Sequence, residues 1–255
     1  MTRPVILGID IGGSGIKGAP VHTEKGILLA KRCYIPTPQP STPEAVAKVV
    51  AQIVTHFDWQ GPIGCTFPAV VIEGAIHNAA NVDKRWIGVN GETFLSQAIG
   101  YPVCMINDAD AAGIAEMEFG AGHPYQGKGV VFVLTFGTGI GSAIFVAGRL
   151  LPNAELGHME MHGMDAEQYA SARVRTEENL SWEVWAGRVE EFLQRLELLF
   201  SPDLFVIGGG ISRNSELFLP LIHTRAPAVP AQLYNEAGII GAAWAARYIQ
   251  VNKGN

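Results

Sequence analysis

Glycine residues near the N-terminus form the first pattern in this sequence that could do chemistry. The stretch LGIDIGGSGIKG, residues 7–18, fits the dinucleotide-binding pattern G-x-G-x-x-G through Gly13, Gly15 and Gly18. That pattern requires a helix after the glycines, whereas Pro20 and its apolar neighbours indicate a second strand. The Walker pattern is also excluded, because no Gly-Lys-Ser/Thr follows. The stretch therefore predicts a strand–turn–strand hairpin, and not a dinucleotide cradle.

A different phosphate chemistry fits the same hairpin better. Asp10 can hold Mg²⁺, directly or through water, and the ion would screen its charge from donor phosphates. Lys17 adds a positive charge nearby. Backbone N–H groups with no side chain in the way can approach phosphate oxygens, and here they belong to Gly12, Gly13, Ser14 and Gly15. A hairpin without any ligand remains the alternative.

A second glycine turn repeats this layout later in the chain. VILGIDIGGSGIKGAPV and VFVLTFGTGIGSAIFV each contain an apolar strand, a glycine turn and a second apolar strand. Asp10 and Thr135 lie two positions before the first glycine of each copy, and Gly137 and Thr138 begin the second turn. Two phosphate-holding hairpins are typical of a duplicated, two-lobed fold with its ligand in the cleft. Two unrelated hairpins are the alternative interpretation.

A pair of polar residues follows the apolar stretch YPVCMI. Asn107 and Asp108 lie where a strand is predicted to end and a helix to begin, which is a common position for catalytic side chains in α/β sheets. Asp108 could accept a proton from a substrate hydroxyl that attacks phosphorus. The alternative is that Asp108 is only a helix N-cap. We expect Asp110 to be a solvated acid in the first helical turn.

Other polar residues could bind the hydroxyl groups of a sugar. Glu155 and His158 together can accept from and donate to vicinal hydroxyls, although a loop glutamate and a satisfied histidine are the alternative. Trp86 is expected to pack in the core, with a position beside a sugar ring as the alternative. Further hydroxyl-binding options in the stretch HNAANVDKRW are Asn78, Asn81 and Asp83. The triplet Gly208 to Gly210 is either a turn alone or a surface close to a nucleotide or a phosphate chain.

Apolar periodicity and turn residues predict the elements that position these groups. Strands are expected over residues 4–11, 16–21, 27–34, 63–67, 103–106, 129–136, 142–151 and 204–207. Helices are expected from a Thr42 cap to about Phe57, and over residues 109–119, 181–200 and 235–251.

Composition limits the class of protein. The chain has 255 residues, 48% of them hydrophobic, and a formal net charge of -6, which argues against a nucleic-acid binder. No apolar stretch is long enough to span a bilayer, and the N-terminus lacks the layout of a signal peptide. The chain has three widely spaced cysteines, which indicate reduced thiols in a cytoplasmic protein: Cys33, Cys65 and Cys104.

Several long motifs in one order resemble the ROK family of sugar kinases, and within it the bacterial polyphosphate glucokinases. They are GIDIGGSGIKG, AANVDKRW, INDADAAGIAE, LTFGTGIGSA, PNAELGHME, LFSPDLFVIGGGIS and NEAGIIGAA. The resemblance implies an actin-like ATPase (ribonuclease H-like) α/β fold with two domains that close over a hexose in a central cleft. We expect a smaller domain from residues 1–108, joined by the helix 236–251, and a larger domain from residues 109–235.

The resemblance also implies roles for single residues. Asp108 would be the general base for the 6-hydroxyl of glucose. The sugar would be held by Asn81, Asn107, Asp108, Glu155 and His158. The donor phosphates would lie along Asp10, Gly12, Gly13, Ser14, Lys17, Gly137, Thr138, Gly209 and Gly210.

One stretch departs from the family pattern. Many members carry a cysteine-rich zinc motif after Glu-x-Gly-His, whereas this chain has HMEMHGMDAEQYAS without a cysteine. We therefore expect no zinc, with His158 left for the sugar and Glu167 in place of the final glutamate of that motif. Mg²⁺ is the expected metal.

The sequence leaves the identity of the phosphoryl donor open between polyphosphate and ATP. A polyphosphate chain requires a series of positive charges. The candidates are Arg149, Arg173, Arg175, Arg188, Arg195, Arg213 and Arg225, unless they pair with Glu177, Glu178, Glu190 and Glu191. Use of polyphosphate, ATP or both is expected, with an ATP-only kinase for mannose or another hexose as the alternative. A sugar-responsive regulator is a second alternative, disfavoured because the chain starts at the first phosphate strand without a helix-turn-helix. The family also suggests a homodimer, in which the helix over residues 181–200 supplies the contact or only packs in the core.

Overall fold

A computed structural model of the chain describes residues 4–79 and 82–247. They form two compact units. The first unit runs to Ala115 and resumes at Glu236, and the second contains Glu116–Asn235. The domain boundaries expected from the sequence, after residues 108 and 235, stay a prediction. None of the helices in the described ranges combines the length and apolar character that crossing a bilayer requires.

The strands of the first unit are β1 (Val5–Ile11), β2 (Gly15–His22), β3 (Ile27–Leu28), β4 (Cys33–Pro36), β5 (Ile63–Phe67), β6 (Val71–Ile72), β7 (Ala75–Ile76) and β8 (Val103–Asn107). Six of them form a sheet in the order β3-β2-β1-β5-β8, with β4 also paired to β2, whereas β6 and β7 pair with each other. Strands β1 and β2 are antiparallel, whereas β1, β5 and β8 are parallel. The first helices along the chain are α1 (Pro43–His56), α2 (Gly91–Ile99) and α3 (Asp108–Phe119).

Helix α1 forms where the sequence predicts it. The Thr42 hydroxyl accepts the N–H of Ala45 at 3.2 Å, and Pro43 occupies the first helical position. The helix buries its apolar face in the core of the unit. The same core contains Trp86, whose ring centroid lies 4.6 Å from that of Phe67. The expectation that Trp86 packs in the core is therefore confirmed.

The strand expected over residues 27–34 is interrupted. Strand β2 pairs with β3 through Val21 and with β4 through Gly18, so that residues 29–32 bulge between the two pairings. Pro20 lies opposite the gap and has no N–H to donate to a ladder. A proline in the middle strand thus divides what the apolar pattern suggests is one strand.

The strands of the second unit are β9 (Val130–Phe136), β10 (Ile140–Val146), β11 (Arg149–Leu151), β12 (Glu160–Met161), β13 (Met164–Asp165), β14 (Leu204–Gly208) and β15 (Ala228–Pro230). Five of them form a sheet in the order β11-β10-β9-β14-β15, whereas β12 and β13 pair with each other. Strands β9 and β10 are antiparallel, and β9, β14 and β15 are parallel. The predicted repeat is confirmed, because each unit pairs an antiparallel hairpin with two parallel strands. The helices are α4 (Ala166–Ala170), α5 (Ala172–Glu177), α6 (Trp182–Phe200) and α7 (Ser215–Phe218).

The last described helix, α8 (Ala237–Ala246), returns to the first unit. It packs against β1 and β5 at very short range, because glycines lie at the contacts. A Cβ atom on Gly8 would stand 2.0 Å from the Ile239 carbonyl oxygen, and one on Gly64 would stand 1.9 Å from that of Ala242. Helix and sheet therefore meet backbone to backbone. The helix begins two residues later than predicted, and its predicted end lies outside the described residues.

Candidate active site

The first glycine hairpin carries a charged pair at the end of β1. Asp10 lies directly across from Lys17 on β2, and its Oδ2 is 3.0 Å from the lysine Nζ. Thr66 is the neighbour of Asp10 on β5 and donates its hydroxyl to Asp10 Oδ1 at 2.7 Å. The Asp10 and Lys17 side chains are only 16% and 24% exposed, so solvent screens their attraction less than at the surface. Both carboxylate oxygens of Asp10 thus have a fixed partner.

The turn between β1 and β2 is held by its own backbone and by Thr37. The N–H of Gly12 donates to the Gly15 carbonyl at 3.1 Å, and the Thr37 hydroxyl donates to the Gly12 carbonyl at 2.5 Å. The Gly12 N–H is therefore engaged inside the turn. Within residues 4–79 and 82–247, the N–H groups of Gly13 and Ser14 donate no hydrogen bond. These two groups are the ones that this turn can present to a phosphate.

The strand end at Asn107 provides the N-cap of helix α3. The Asn107 Oδ1 accepts the N–H groups of Ala109 at 2.9 Å and Asp110 at 3.0 Å, so Asn107 is the N-cap of α3. Its amide also donates to the Ala69 carbonyl at 3.1 Å. Asp108 is the first residue of the helix and is half-buried. Its carboxylate is not required as the cap, although it accepts the Ala109 N–H at 2.9 Å.

The expectation for Asp110 is wrong. Its side chain is 2% exposed, because the helix begins at Asp108, one residue earlier than predicted, and the third helical residue faces the interior.

The second glycine turn carries no charge of its own but contacts an acid from another segment. The N–H of Gly137 donates to the Gly139 carbonyl at 3.0 Å, and Thr138 between them is exposed. A Cβ on Gly139 would stand 2.2 Å from Glu167 Oε2, so only glycine leaves room for this carboxylate. The same oxygen accepts the Ile140 N–H at 3.3 Å. Helix α4, which carries Glu167, is thereby fixed to the turn.

Glu155, His158 and Asp165 form an ion-paired group in the second unit. His158 Nδ1 lies 3.0 Å from Asp165 Oδ2, and its Nε2 lies 3.8 Å from Glu155 Oε2. The hydrogen bond to Asp165 raises the pKa of His158, burial opposes this, and the charges of Glu167, Glu155 and Asp165 add to it. Burial raises the pKa of the Glu155 carboxyl; His158 lowers it and Glu167 raises it. The predicted residues Glu155 and His158 do lie together.

The glycine triplet after β14 is a tight turn. Gly209 has a φ of 85°, and a Cβ there would stand 2.3 Å from the Phe136 carbonyl oxygen. Its own carbonyl accepts the Ser212 hydroxyl at 2.8 Å. Because Gly208 pairs with Thr135, the triplet lies at the same sheet edge as the second glycine turn.

Two supporting residues were missed in the sequence, and one predicted residue is not described. Thr66 and Asp165 fix Asp10 and His158, respectively. Thr66 had a detectable signal, since it is a polar residue near the end of a predicted strand, as Asn107 is. Asn81 lies outside the described residues. Asn78 accepts the Val70 N–H at 2.8 Å, which is a structural role.

The comparisons with known proteins identify the family. A model of the ROK family matches residues 6–178. The chain belongs to the ROK family. It is 49% identical over 239 residues to the polyphosphate glucokinase of Mycobacterium tuberculosis, covering 93% of this chain and 89% of the relative. It is 28% identical over 323 residues to the glucokinase of Streptomyces coelicolor, covering 94% and 97%.

Solved structures agree with this assignment. The inorganic polyphosphate/ATP-glucomannokinase from Arthrobacter sp. strain KM is 48% identical with a TM-score of 0.92, covering 97% of this ROK chain and 100% of that one. A ROK family glucokinase from Streptomyces griseus, in complex with glucose and AMPPNP, is 27% identical with a TM-score of 0.82, covering 96% and 99%. The expected fold class, the actin-like α/β fold of ROK sugar kinases, is confirmed.

Proposed function

We propose that this ROK chain transfers a phosphoryl group from inorganic polyphosphate, ATP or both to the 6-hydroxyl of glucose. The names of its relatives at 48% and 49% identity support polyphosphate as a donor and glucose as an acceptor. The observation that supports a catalytic role for Asp108 is its arrangement with Asn107. Asn107 caps α3, and the half-buried carboxylate of Asp108 lies next to it at the end of β8.

In this proposal Asp108 is the general base. It orients the glucose 6-hydroxyl and accepts its proton as the oxygen attacks the terminal phosphorus. Asn107 keeps one amide hydrogen beyond its bond to Ala69, so it can contact the sugar while it caps the helix. Asn81 is proposed as a further sugar ligand on the strength of the resemblance alone.

The sugar ligands proposed in the second unit are Glu155, His158 and Glu167. Carboxylate oxygens accept from hydroxyls, and the imidazole can donate or accept according to its tautomer. Because Asp165 is hydrogen-bonded to His158 Nδ1, the Nε2 atom is the ring nitrogen that we expect to bind a sugar hydroxyl. Glu167 joins this set to the second glycine turn.

The donor phosphates are proposed to lie along the glycine turns. In the first unit three groups are suited to bind phosphate oxygens: the N–H groups of Gly13 and Ser14 and the ammonium of Lys17. Gly12 lies beside them and has no side chain that would block a phosphate. In the second unit the proposed donor residues are Gly137, Thr138, Gly209 and Gly210. Exclusion of water during transfer would prevent hydrolysis of the donor.

The residues around Asp10 fit Mg²⁺ held through water. Each Asp10 oxygen already has a partner, Thr66 or Lys17, so water-mediated contact disturbs the site less than direct ligation. When bound, Mg²⁺ would neutralise charge on the donor phosphates. The part of Asp10 is then to orient that hydrated ion, and the part of Thr66 is to hold the carboxylate.

Replacement of the proposed base tests the mechanism. The variant Asp108→Asn should bind glucose and fold normally, while kcat falls by on the order of 10² to 10⁴. Glu118→Gln, on the same helix outside its first turn, is the matched control and should keep its rate. Near-normal kcat in Asp108→Asn would exclude the assignment.

Donor and acceptor choice follow from one assay with purified protein and Mg²⁺. Transfer from polyphosphate to glucose is the expected result. Mannose is a second candidate acceptor, favoured by the glucomannokinase at 48% identity. Turnover with ATP alone would indicate an ATP-only hexokinase, and glucose binding without turnover would indicate a sugar-responsive regulator.

We also propose that the enzyme is a homodimer. Helix α6 buries one face in the core of the second unit, but its C-terminal end leaves Leu198, Leu199 and Phe200 75%, 53% and 42% exposed. Such an apolar end is suited to a protein contact. Light scattering of the wild-type protein and of Leu198→Glu should give a dimer and a monomer, respectively.

A cytoplasmic location is proposed from the cysteines. The thiols of Cys33, Cys65 and Cys104 are free. Burial raises the pKa of Cys65, and it raises that of Cys104 to about 12. Widely spaced cysteines without disulfides are typical of proteins in reducing compartments.

A further inference from the structure

The arginines of the second unit differ in whether their guanidinium groups already contact other groups of the chain. Arg175 lies 3.5 Å over the ring of Trp182, Arg188 pairs with a glutamate at 2.8 Å, and Arg225 donates to a backbone carbonyl at 2.8 Å. Four others are exposed and have no ion pair within the described part of the chain: Arg149, Arg173, Arg195 and Arg213. These four are the arginines of the second unit that combine an exposed side chain with the absence of such a contact in the described part of the chain.

Arg173 is tied to the second glycine turn by the backbone. Its N–H donates to the Gly137 carbonyl at 3.0 Å. The preceding Ser171 caps α5 and is fully buried, so the start of this helix is anchored. The exposed side chain of Arg173 therefore starts from a backbone position next to Gly137 and Thr138.

Arg213 is placed at the same sheet edge by a different segment. Gly209 packs on the Phe136 carbonyl, immediately before Gly137. Ser212 then binds the Gly209 carbonyl through both its hydroxyl at 2.8 Å and its N–H at 3.2 Å. The exposed Arg213 follows directly. Arg149 on β11 and Arg195 on α6 have no such link to the turn.

We propose that Arg173 and Arg213 form a binding site for the phosphate groups of a polyphosphate chain that lie beyond the transferred one. A guanidinium can bind phosphate oxygens with two hydrogen bonds, and each added phosphate of the chain brings further negative charge. ATP ends in a nucleoside instead and offers no such extension. The inference rests on the proposed function, because it takes Gly137 and Thr138 as part of the donor site.

Kinetics with donors of different length test the proposal. The variants Arg173→Ala and Arg213→Ala should each raise KM for long polyphosphate by roughly two- to fivefold, as expected for exposed ion pairs. The double variant should multiply the two effects. KM for ATP and for glucose should stay near the wild-type values, and high salt should remove the difference between variant and wild type.

The controls are Arg149→Ala and Arg195→Ala, which remove the same charge from exposed positions of the same unit. If they raise KM for polyphosphate as much as the double variant, general charge explains binding and the site is excluded. An equal rise in KM for ATP would also overturn it, because the arginines would then contact phosphates that both donors share.

Binding without turnover separates this inference from the proposed function. Titration of the protein with long and short polyphosphate, in the absence of glucose, should show weaker binding of the long chain to the double variant. If wild type binds polyphosphate through these arginines but transfers nothing to glucose, the site stands and the proposed reaction fails. Unchanged affinity in the double variant would overturn the site, whatever the activity.

Discussion

The β1–β2 hairpin of the first unit places Asp10 across from Lys17, whereas the β9–β10 hairpin of the second unit places Thr135 across from Gly141. Both hairpins lie beside two parallel strands and both close with a glycine turn. The backbone design is thus repeated, but charge is built into only one copy. The second copy receives its acid, Glu167, from helix α4.

The helices behind the two sheets differ in a related way. Helix α8 approaches the first sheet through glycine contacts, and a Cβ on Gly238 would stand 2.8 Å from Asp10 Oδ2. Helix α6 packs in the core of the second unit with large side chains, including Trp185 and Phe192. Close approach in the first unit brings a helix up to the charged pair. Helix α8 is therefore positioned by backbone contacts, and helix α6 by large side chains.

The largest effect is expected from removing the charge of the first hairpin. Asp10→Asn should lower kcat by on the order of 10², because it removes a preorganised charged group that we propose to act on the donor phosphates. Thr135→Val changes the corresponding position of the second hairpin and should alter kcat by less than about threefold. Steady-state rates at saturating donor make the comparison. Equal losses in the two variants would show that the hairpins share a role despite their different charge.

A smaller effect is expected from the helix contacts. Gly64→Ala forces a Cβ to 1.9 Å from the Ala242 carbonyl oxygen, and backbone cannot move aside as a side chain does. Unfolding free energy should fall by about 1–3 kcal/mol. Gly187→Ala, on the exposed side of α6 with nothing within 4 Å, should instead add roughly 0.5–1 kcal/mol. Urea unfolding monitored by circular dichroism measures both; a mild Gly64→Ala would mean that α8 is not held at this distance.

The next prediction concerns Glu167 on α4, the acid that contacts the second glycine turn. Glu167→Gln keeps an oxygen to accept the Ile140 N–H but removes the charge, so KM for glucose should rise roughly three- to tenfold. Glu177→Gln, an exposed acid on the neighbouring helix α5, is the control. A rise in KM for the donor with none for glucose would move Glu167 from the sugar ligands to the donor site.

The sequence predicts the secondary-structure elements better than it predicts which side chains contact one another. The hairpin repeat, the Thr42 cap and the long helix α6 follow from local patterns of apolar, turn and capping residues. Thr66 meets Asp10 only through the register of β1 with β5, 56 residues away in the chain. The interior position of Asp110 depends on which residue caps α3, and the sequence offers two neighbouring candidates. Such facts are set by tertiary pairing, which no local pattern contains.

The close approach of α8 was hidden for a similar reason. Gly8 and Gly64 look like ordinary strand glycines, and their purpose appears only when the Ile239 and Ala242 carbonyls are found against them. Pro20 did carry a local signal, since proline cannot donate to a ladder, and it should have divided the strand expected over residues 27–34.

The smallest predicted effect concerns the ion pair that distinguishes the second unit. Its base is a histidine, which titrates near neutral pH, whereas the first hairpin uses a lysine. Because Asp165 raises the pKa of His158, the pair stabilises the fold fully below the ordinary histidine pKa. That contribution is lost as pH rises through the raised value. Asp165→Asn should lower the His158 pKa and reduce this dependence of stability on pH.

NMR titration of the His158 ring measures the change directly, and KM for glucose against pH reports its consequence. Glu160→Gln, on the same β12–β13 hairpin but bonded to the Gly163 N–H, is the control and should leave the His158 titration in place. If Asp165→Asn shifts the pKa but not the pH profile of KM, His158 does not contact the sugar. The proposed sugar ligands of the second unit would then be reduced to the carboxylates of Glu155 and Glu167.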